Sequence, residues 1–281
     1  MQNDCLVYVD ANKKPGFWGL KEIWAYRDLI ALFTKRTFKI TYKQTVLGPL
    51  WLIISPLLTS IIYSIVFGRI AKLSTNGIPH LLFYLSSHAL WAFFSNCISQ
   101  NAVAFVTNAH LYGKVYFPRL TLPISNVLAS MIQLAIQMSV ITVVIIIYMV
   151  QGAVHPNWVM ILLIIPVVLL VAVMGFGVGI IISGMTTKYR DLTFLVGFGI
   201  TLWMYASPVI YPYSQLGPGI LQTLMRFNPM TMPMELFRLI LTGKGTVDPV
   251  SCVSSILFAC LFLTLGLLVF RRVERTFVDT I

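Results

Sequence analysis

The sequence predicts an all-α integral membrane protein: six transmembrane helices preceded by an amphipathic interface helix, with short re-entrant or interfacial helices between spans five and six. Three observations predict it. Of 281 residues, 58% are hydrophobic and 10% charged, with a mean hydropathy of +0.84, whereas a soluble domain carries about 25% charged residues. Uncharged runs recur at the length a bilayer demands, about 20 residues of helix. The basic residues are distributed unevenly between successive loops.

The elements follow in order. Residues 1–20 are a polar N-terminal segment without the short apolar core of a cleavable signal peptide, so insertion is expected to begin at span one. Residues 21–49 form the interface helix and a linker. There Ile23, Tyr26, Ile30, Phe33, Thr37 and Ile40 recur at spacings of 3 and 4, which places them on one helical face. Basic residues fall mostly around the rest of that helix, the pattern of a segment lying in the membrane surface. The six-span domain is 50–270, with spans at 50–68, 81–105, 122–150, 158–185, 192–211 and 250–270. Ser55-Pro56 sets a kink early in span one, and Gly152 and Pro156 mark the turn between spans three and four. Between spans five and six, residues 220–227 and 230–242 are apolar and helical in pattern but too short to cross. Asn228-Pro229 divides them. Residues 271–281 form the tail.

With six spans, fifteen of the twenty Lys and Arg fall on the side of the termini. The other five are Arg69, Lys72, Arg226, Arg238 and Lys244. Lys and Arg are retained on the cytoplasmic side, so both termini are expected there. The same rule explains the net charge of +11 without nucleic acid, which is not expected as a partner.

The chemistry excludes several classes. All nine acidic residues, Glu235 among them, fall outside the six spans, so no acid is expected in the interior and a proton or ion relay is unsupported. His88 stands alone beside Ser86 and Ser87 and reads as hydrogen-bonded packing. Cys5, Cys97, Cys252 and Cys260 show no metal-site spacing, and no metal site is expected. Neither Gly113-Lys114 nor Gly243-Lys244 has the remainder of a phosphate-cradling loop. No catalytic residue is expected, and any energy must come from another polypeptide. The cluster Lys188-Tyr189-Arg190-Asp191 holds one acid rather than a pair and reads as a partner contact or a solvated turn. Tyr63, Phe67, Tyr84, Trp91, Phe93, Phe94, Trp203, Tyr205, Tyr211 and Tyr213 lie in or beside spans one, two and five. Flat rings with polar tips suit sugar faces, and membrane interfaces select the same residues.

Six strings go further. Arg27-Asp28-Leu29 through Tyr42-Lys43-Gln44-Thr45-Val46-Leu47-Gly48-Pro49-Leu50-Trp51 resembles the entry to span one in type-2 ATP-binding-cassette permeases. Lys114-Val115-Tyr116-Phe117-Pro118-Arg119, Lys188-Tyr189-Arg190-Asp191, Ala206-Ser207-Pro208-Val209-Ile210-Tyr211-Pro212 and Asn228-Pro229-Met230 resemble the same family in the same order. So does the closing Phe270-Arg271-Arg272-Val273-Glu274-Arg275-Thr276-Phe277. The similarity is greatest to the branch exporting polysaccharides and teichoic acids, including Wzm-like O-antigen permeases, and runs from about Lys21 onward.

The resemblance implies a multi-pass permease of the bacterial inner (plasma) membrane, paired with a second copy of itself. It implies two copies of a cytoplasmic ATPase subunit, which would bind ATP and Mg, this chain holding no cofactor. The substrate would be a glycan on an undecaprenyl-pyrophosphate-type lipid, passed through a channel at the dimer interface. Contacts to the ATPase would come from Arg27, Asp28, Tyr112, Lys114, Tyr116, Lys188, Tyr189, Arg190 and Asp191. Trp91 and Phe94, three apart on span two, are the first candidates for the channel lining, with Tyr205, Tyr211 and Tyr63 next. The short helices between spans five and six would cap the exit. A permease for a drug or a lipid, a membrane-bound glycan-processing enzyme and a non-transporting scaffold are the alternatives.

Overall fold

The structure, a computed structural model, describes residues 20–43, 46–112, 117–186, 189 and 191–277, with the side chains of 20–22, 41, 42 and 273–277 outside that set. The chain enters through α1 (Leu20–Ala25) and α2 (Arg27–Tyr42). A 3-10 turn, Gly48–Leu50, leads into α3 (Trp51–Tyr63), which runs through Pro56 and ends in a π-helical turn, Ser64–Ile70. Next come α4 (His80–Ala102), the single turns α5 (Ala104–Thr107) and α6 (Ala109–Tyr112), and α7 (Thr121–Val150). A 3-10 segment, Trp158–Leu163, opens α8 (Ile164–Thr186), and α9 spans Leu192–Tyr205. Two short helices, α10 (Ile220–Phe227) and α11 (Thr231–Thr242), precede α12 (Pro249–Phe277). No strand occurs among the described residues.

Among the described residues five stretches are long and apolar enough to cross a membrane: Gly48–Ile70, His80–Ala102, Thr121–Val150, Trp158–Thr186 and Pro249–Arg272. The fifth predicted span differs from its expectation. Helix α9 stops at Tyr205, 14 residues long, and at 1.5 Å per residue reaches about 21 Å of a hydrocarbon core of about 30 Å. The cause is local. Pro208 disfavours helix at Ser207, and residues 206–211 turn instead, with the Ser207 and Val209 amides donating to Met204 and Ser207 carbonyls.

Helix α8 is the central post, packed most extensively on α12 and α4. Its glycines alternate between those partners. A Cβ on Gly175 would lie 2.7 Å from Cys97 Cβ, and one on Gly179 would lie 2.7 Å from Asn101 Cβ, both on α4. A Cβ on Gly177 would lie 2.5 Å from the Phe262 backbone of α12. Bare glycines let helix backbones approach, which is how helices associate where lipid removes the hydrophobic drive. A polar seam joins α4 to α7: Asn96 Nδ2 donates to Gln133 Oε1 at 3.1 Å, and Asn126 Nδ2 donates to Asn101 Oδ1 at 3.3 Å.

The bundle has two unlike ends. At the basic end α2, α5, the start of α7 and the ends of α8 and α12 meet, with Phe105 against Phe270 and Phe33 against Phe117. At the other, the capped end, α10 and α11 cover the loops. There the Asn157 amide donates to Ile240 O, Lys244 Nζ to Gly77 O, and Asn76 Nδ2 to Ser214 Oγ.

Candidate translocation path and coupling surface

At the basic end α2 turns part of its apolar stripe inward rather than wholly toward lipid. Ile30 and Phe33 are buried, Phe33 sits 5.5 Å from the Phe117 ring, and Thr34 Oγ1 donates to Ser125 O of α7 at 3.4 Å. Trp24, Leu32 and Ile40 stay exposed. Arg27 and Asp28 are exposed on the same helix, as are Tyr189 and Asp191 before α9. Tyr112 stacks on Phe117 at 5.4 Å and donates its hydroxyl to Arg119 O. Lys114, Tyr116, Lys188 and Arg190 lie outside the described residues.

The aromatics divide into two layers. Trp91 and Phe94 are buried, the latter completely. They hold Trp203 of α9 between them, with ring centroids at 6.5 and 5.1 Å. Neither opens onto the surface of the single chain. Tyr205 is exposed, Tyr211 is half-buried with its hydroxyl donating to Tyr205 O at 3.0 Å, and Tyr63 is half-buried on α3. The Tyr63 ring lies 6.0 Å from Tyr84 and 6.3 Å from His88. His88 packs as a ring, but its buried Nδ1 makes no hydrogen bond among the described residues, and neither does Tyr84 Oη. The expectation of a hydrogen-bonded histidine is corrected at that nitrogen. Below Trp203, α9 stands off α4 and α8 and leaves a cavity of ≈ 350 Å³ lined by Ile98, Ile182, Leu195 and Ile200.

The capped end overturns the expectation of an interior without acids. Glu235 and Arg238 are 2% and 1% exposed. They pair at 2.8 Å on one face of α11. Arg238 Nε and Nη2 both donate to Ser87 Oγ of α4, at 3.0 and 2.8 Å. Nη2 also reaches Pro208 O, and the guanidinium lies 4.1 Å over the Phe83 ring. Ser87 is seven residues into α4 from the capped end, about 10 Å along the axis. Glu235 answers on its other side, accepting the Tyr213 amide at 3.1 Å and the Thr246 amide at 3.2 Å. The physical reason is satisfaction: a buried charge is tolerated when paired and hydrogen-bonded on all sides. The sequence signal was an i,i+3 Glu–Arg pair inside an apolar helix, whose geometry places both on one face.

Asn228 organises the junction between α10 and α11. Its Nδ2 donates to Ala206 O at 2.6 Å and Ser207 Oγ at 3.1 Å, while Oδ1 accepts from the Met230 amide and Trp203 Nε1. The cap is thereby tied to the end of α9. Helix α10 itself is held at its rim: Arg226 Nε and Nη2 donate to the Asp248 carboxylate at 2.7 and 2.9 Å. That hydrogen-bonded guanidinium holds the Asp248 carboxyl below the usual carboxylate range.

Five membrane-length apolar helices, a sixth shorter one and an aromatic interior closed by a helical cap define a multi-pass membrane protein. The sequence profile of the ABC-2 type transporter family matches residues 28–242. The chain belongs to that family. It is 28% identical over 253 residues to the O-antigen export system permease protein RfbA of Klebsiella pneumoniae, covering 90% of this chain and 94% of the relative. The protein of that name from Myxococcus xanthus is 29% identical over 224 residues, 79% of this chain and 83% of the relative. Nodulation protein J of Rhizobium leguminosarum bv. trifolii is 28% identical over 94 residues, 34% of this chain and 36% of the relative.

Proposed function

We propose that this chain is the permease subunit of an ATP-driven exporter that moves a lipid-linked polysaccharide across the bacterial inner membrane. The observation that carries the reading is its similarity, over nine tenths of its length, to O-antigen export permeases. Two copies of the chain enclose the path, and two copies of a separate cytoplasmic subunit bind and hydrolyse ATP with Mg. The basic end faces the cytoplasm, in keeping with retention of Lys and Arg there. Its exposed groups, Arg27, Asp28, Tyr189 and Asp191, with Lys114, Tyr116, Lys188, Arg190 and the stacked Tyr112, meet the ATPase.

The sugar surface is the outer aromatic layer: Tyr63, Tyr205 and Tyr211. Rings with polar edges hold sugar faces weakly, as a sliding polymer requires. Trp91 and Phe94 act from behind, by fixing Trp203 and with it the pitch of α9. The cap closes the exit. The test is a strain lacking this chain: it should lose surface glycan, accumulate lipid-linked glycan inside, and recover with the wild-type chain. The purified chain should bring down an ATPase subunit in equal ratio. Unchanged surface glycan in that strain, or export persisting after removal of every candidate ATPase, would contradict the reading.

A further inference from the structure

At the capped end of α3 a cleft of ≈ 490 Å³ opens between the π-helical turn, the start of α4 and the end of α7. Its walls are apolar at Ile61, Ile65 and Leu81, and Ser64, Arg69, His80 and Tyr148 supply polar groups around it. None of those four polar side chains makes a hydrogen bond or ion pair with another described residue. Of the other cations at this end, Lys72 also has no side-chain partner among the described residues but does not line the cleft, and the remaining three are engaged. Arg226 pairs with Asp248, Arg238 with Glu235, and Lys244 donates to Gly77 O. Arg69 is thus a cation without a partner among the described residues that also heads an apolar cleft.

The cleft is shaped by the backbone. The π-helical stretch Ser64–Ile70 widens the end of the span, and such widening is frequent at functional positions. The His80 ring packs against the bare Gly68, so close that a Cβ there would meet His80 Cδ2 at 2.4 Å. An apolar groove headed by a guanidinium, an imidazole and two hydroxyls has the chemistry of one ligand class: a phosphate-headed amphiphile. Arg grips phosphate in a fixed fork, hydroxyls donate to its remaining oxygens, and the acyl chain continues along Ile61 and Ile65.

We propose that this cleft holds an anionic phospholipid of the leaflet at the capped end, with its phosphate between Arg69 and His80. The test uses the full-length purified chain exchanged into detergent with defined lipid, and native mass spectrometry to count retained lipid. Dioleoylphosphatidylglycerol should be retained in preference to dioleoylphosphatidylcholine. Arg69→Gln should weaken retention of one such lipid about fivefold, the effect of one basic residue near an anionic surface. Lys72→Gln, which removes a neighbouring cation that does not line the cleft, should leave it unchanged. Gly68→Ala, which displaces the His80 ring without touching charge, should weaken it as well. Inorganic phosphate should not compete, since it gains nothing from the groove. Equal retention of the two lipids, or an Arg69→Gln chain that retains phosphatidylglycerol as the wild type does, would overturn the proposal. So would full competition by inorganic phosphate, or preferential retention of undecaprenyl phosphate over phosphatidylglycerol.

Discussion

Helices α10 and α11 are adjacent in sequence, both short, both rich in Leu, Ile, Met and Phe, and separated only by Asn228-Pro229-Met230, yet they are held in different ways. Nine of the twelve residues of α11 are buried, from Thr231 to Thr242. In α10 only Met225 is buried, while Ile220, Leu221, Leu224 and Phe227 are all more than half exposed. The deep helix is fixed by charge satisfied on every side. The shallow one rests on a rim ion pair and on Ser251 and Ser254, which donate to Arg226 O. The contrast teaches that apolar content alone does not anchor a helix at a membrane boundary. What anchors it is a polar group that can be satisfied in only one place. The cap accordingly has a fixed post, α11, and a flap, α10.

Replacing one member of the buried pair should give the largest effect. Arg238→Met leaves Glu235 buried without its partner and should cost about 3–5 kcal/mol, read as a lowered thermal unfolding midpoint in nanodiscs. Glu235→Gln, which keeps one acceptor oxygen for the Tyr213 amide and loses the one facing the Thr246 amide, should cost less than Glu235→Leu, which keeps neither. The double variant Glu235→Gln, Arg238→Met should recover part of the Arg238→Met loss, because no uncompensated charge remains. A wild-type midpoint for Arg238→Met would remove the post from the account.

Asn228 stands between the two regions and should give an intermediate effect. Asn228→Ala removes four hydrogen bonds at the junction, of which the partly buried ones each contribute about 0.5–1.5 kcal/mol net. The expected outcome is faster labelling of a cysteine at Leu224 with little change for one at Leu241. Equal acceleration at both positions would show the cap to be one rigid piece.

Much of this was legible in the sequence. The helices at His80–Ala102 and Thr121–Val150, and α12 as far as Phe270, follow from uncharged runs of sufficient length, and the break between α10 and α11 from Asn228-Pro229. The buried pair was not, because its satisfaction depends on Ser87, 151 residues away, and on Pro208. Charge composition alone places Arg238 among the outer cations. The two aromatic layers were also illegible. Helix α4 is apolar nearly all round, so periodicity carries no sign of which face Trp91 and Phe94 take. Of the residues proposed to contact an ATPase, Lys114, Tyr116, Lys188 and Arg190 lie outside the described residues.

The smallest effect belongs to the rim pair. Arg226 lowers the carboxyl of Asp248, so the contact is fully present above the ordinary carboxylate range and is lost as pH falls through the lowered native value. Labelling of a cysteine at Leu224, taken relative to a free peptide thiol so that the loss of thiolate at low pH cancels, should therefore be flat from neutral pH down to about pH 4 and rise only below it. In Arg226→Gln the labelling should be raised at neutral pH already. A rise beginning well above the carboxylate range would point to a different group.

Hydrogen exchange of the two helices, followed by mass spectrometry on the intact chain in nanodiscs, tests the fixed post and flap most directly. The account predicts that amides in Thr231–Thr242 exchange only with opening of the bundle, while those in Ile220–Phe227 exchange much sooner. Arg238→Met should bring the first set toward the second. Equal protection of the two helices in the wild-type chain, or faster exchange in α11, would contradict it.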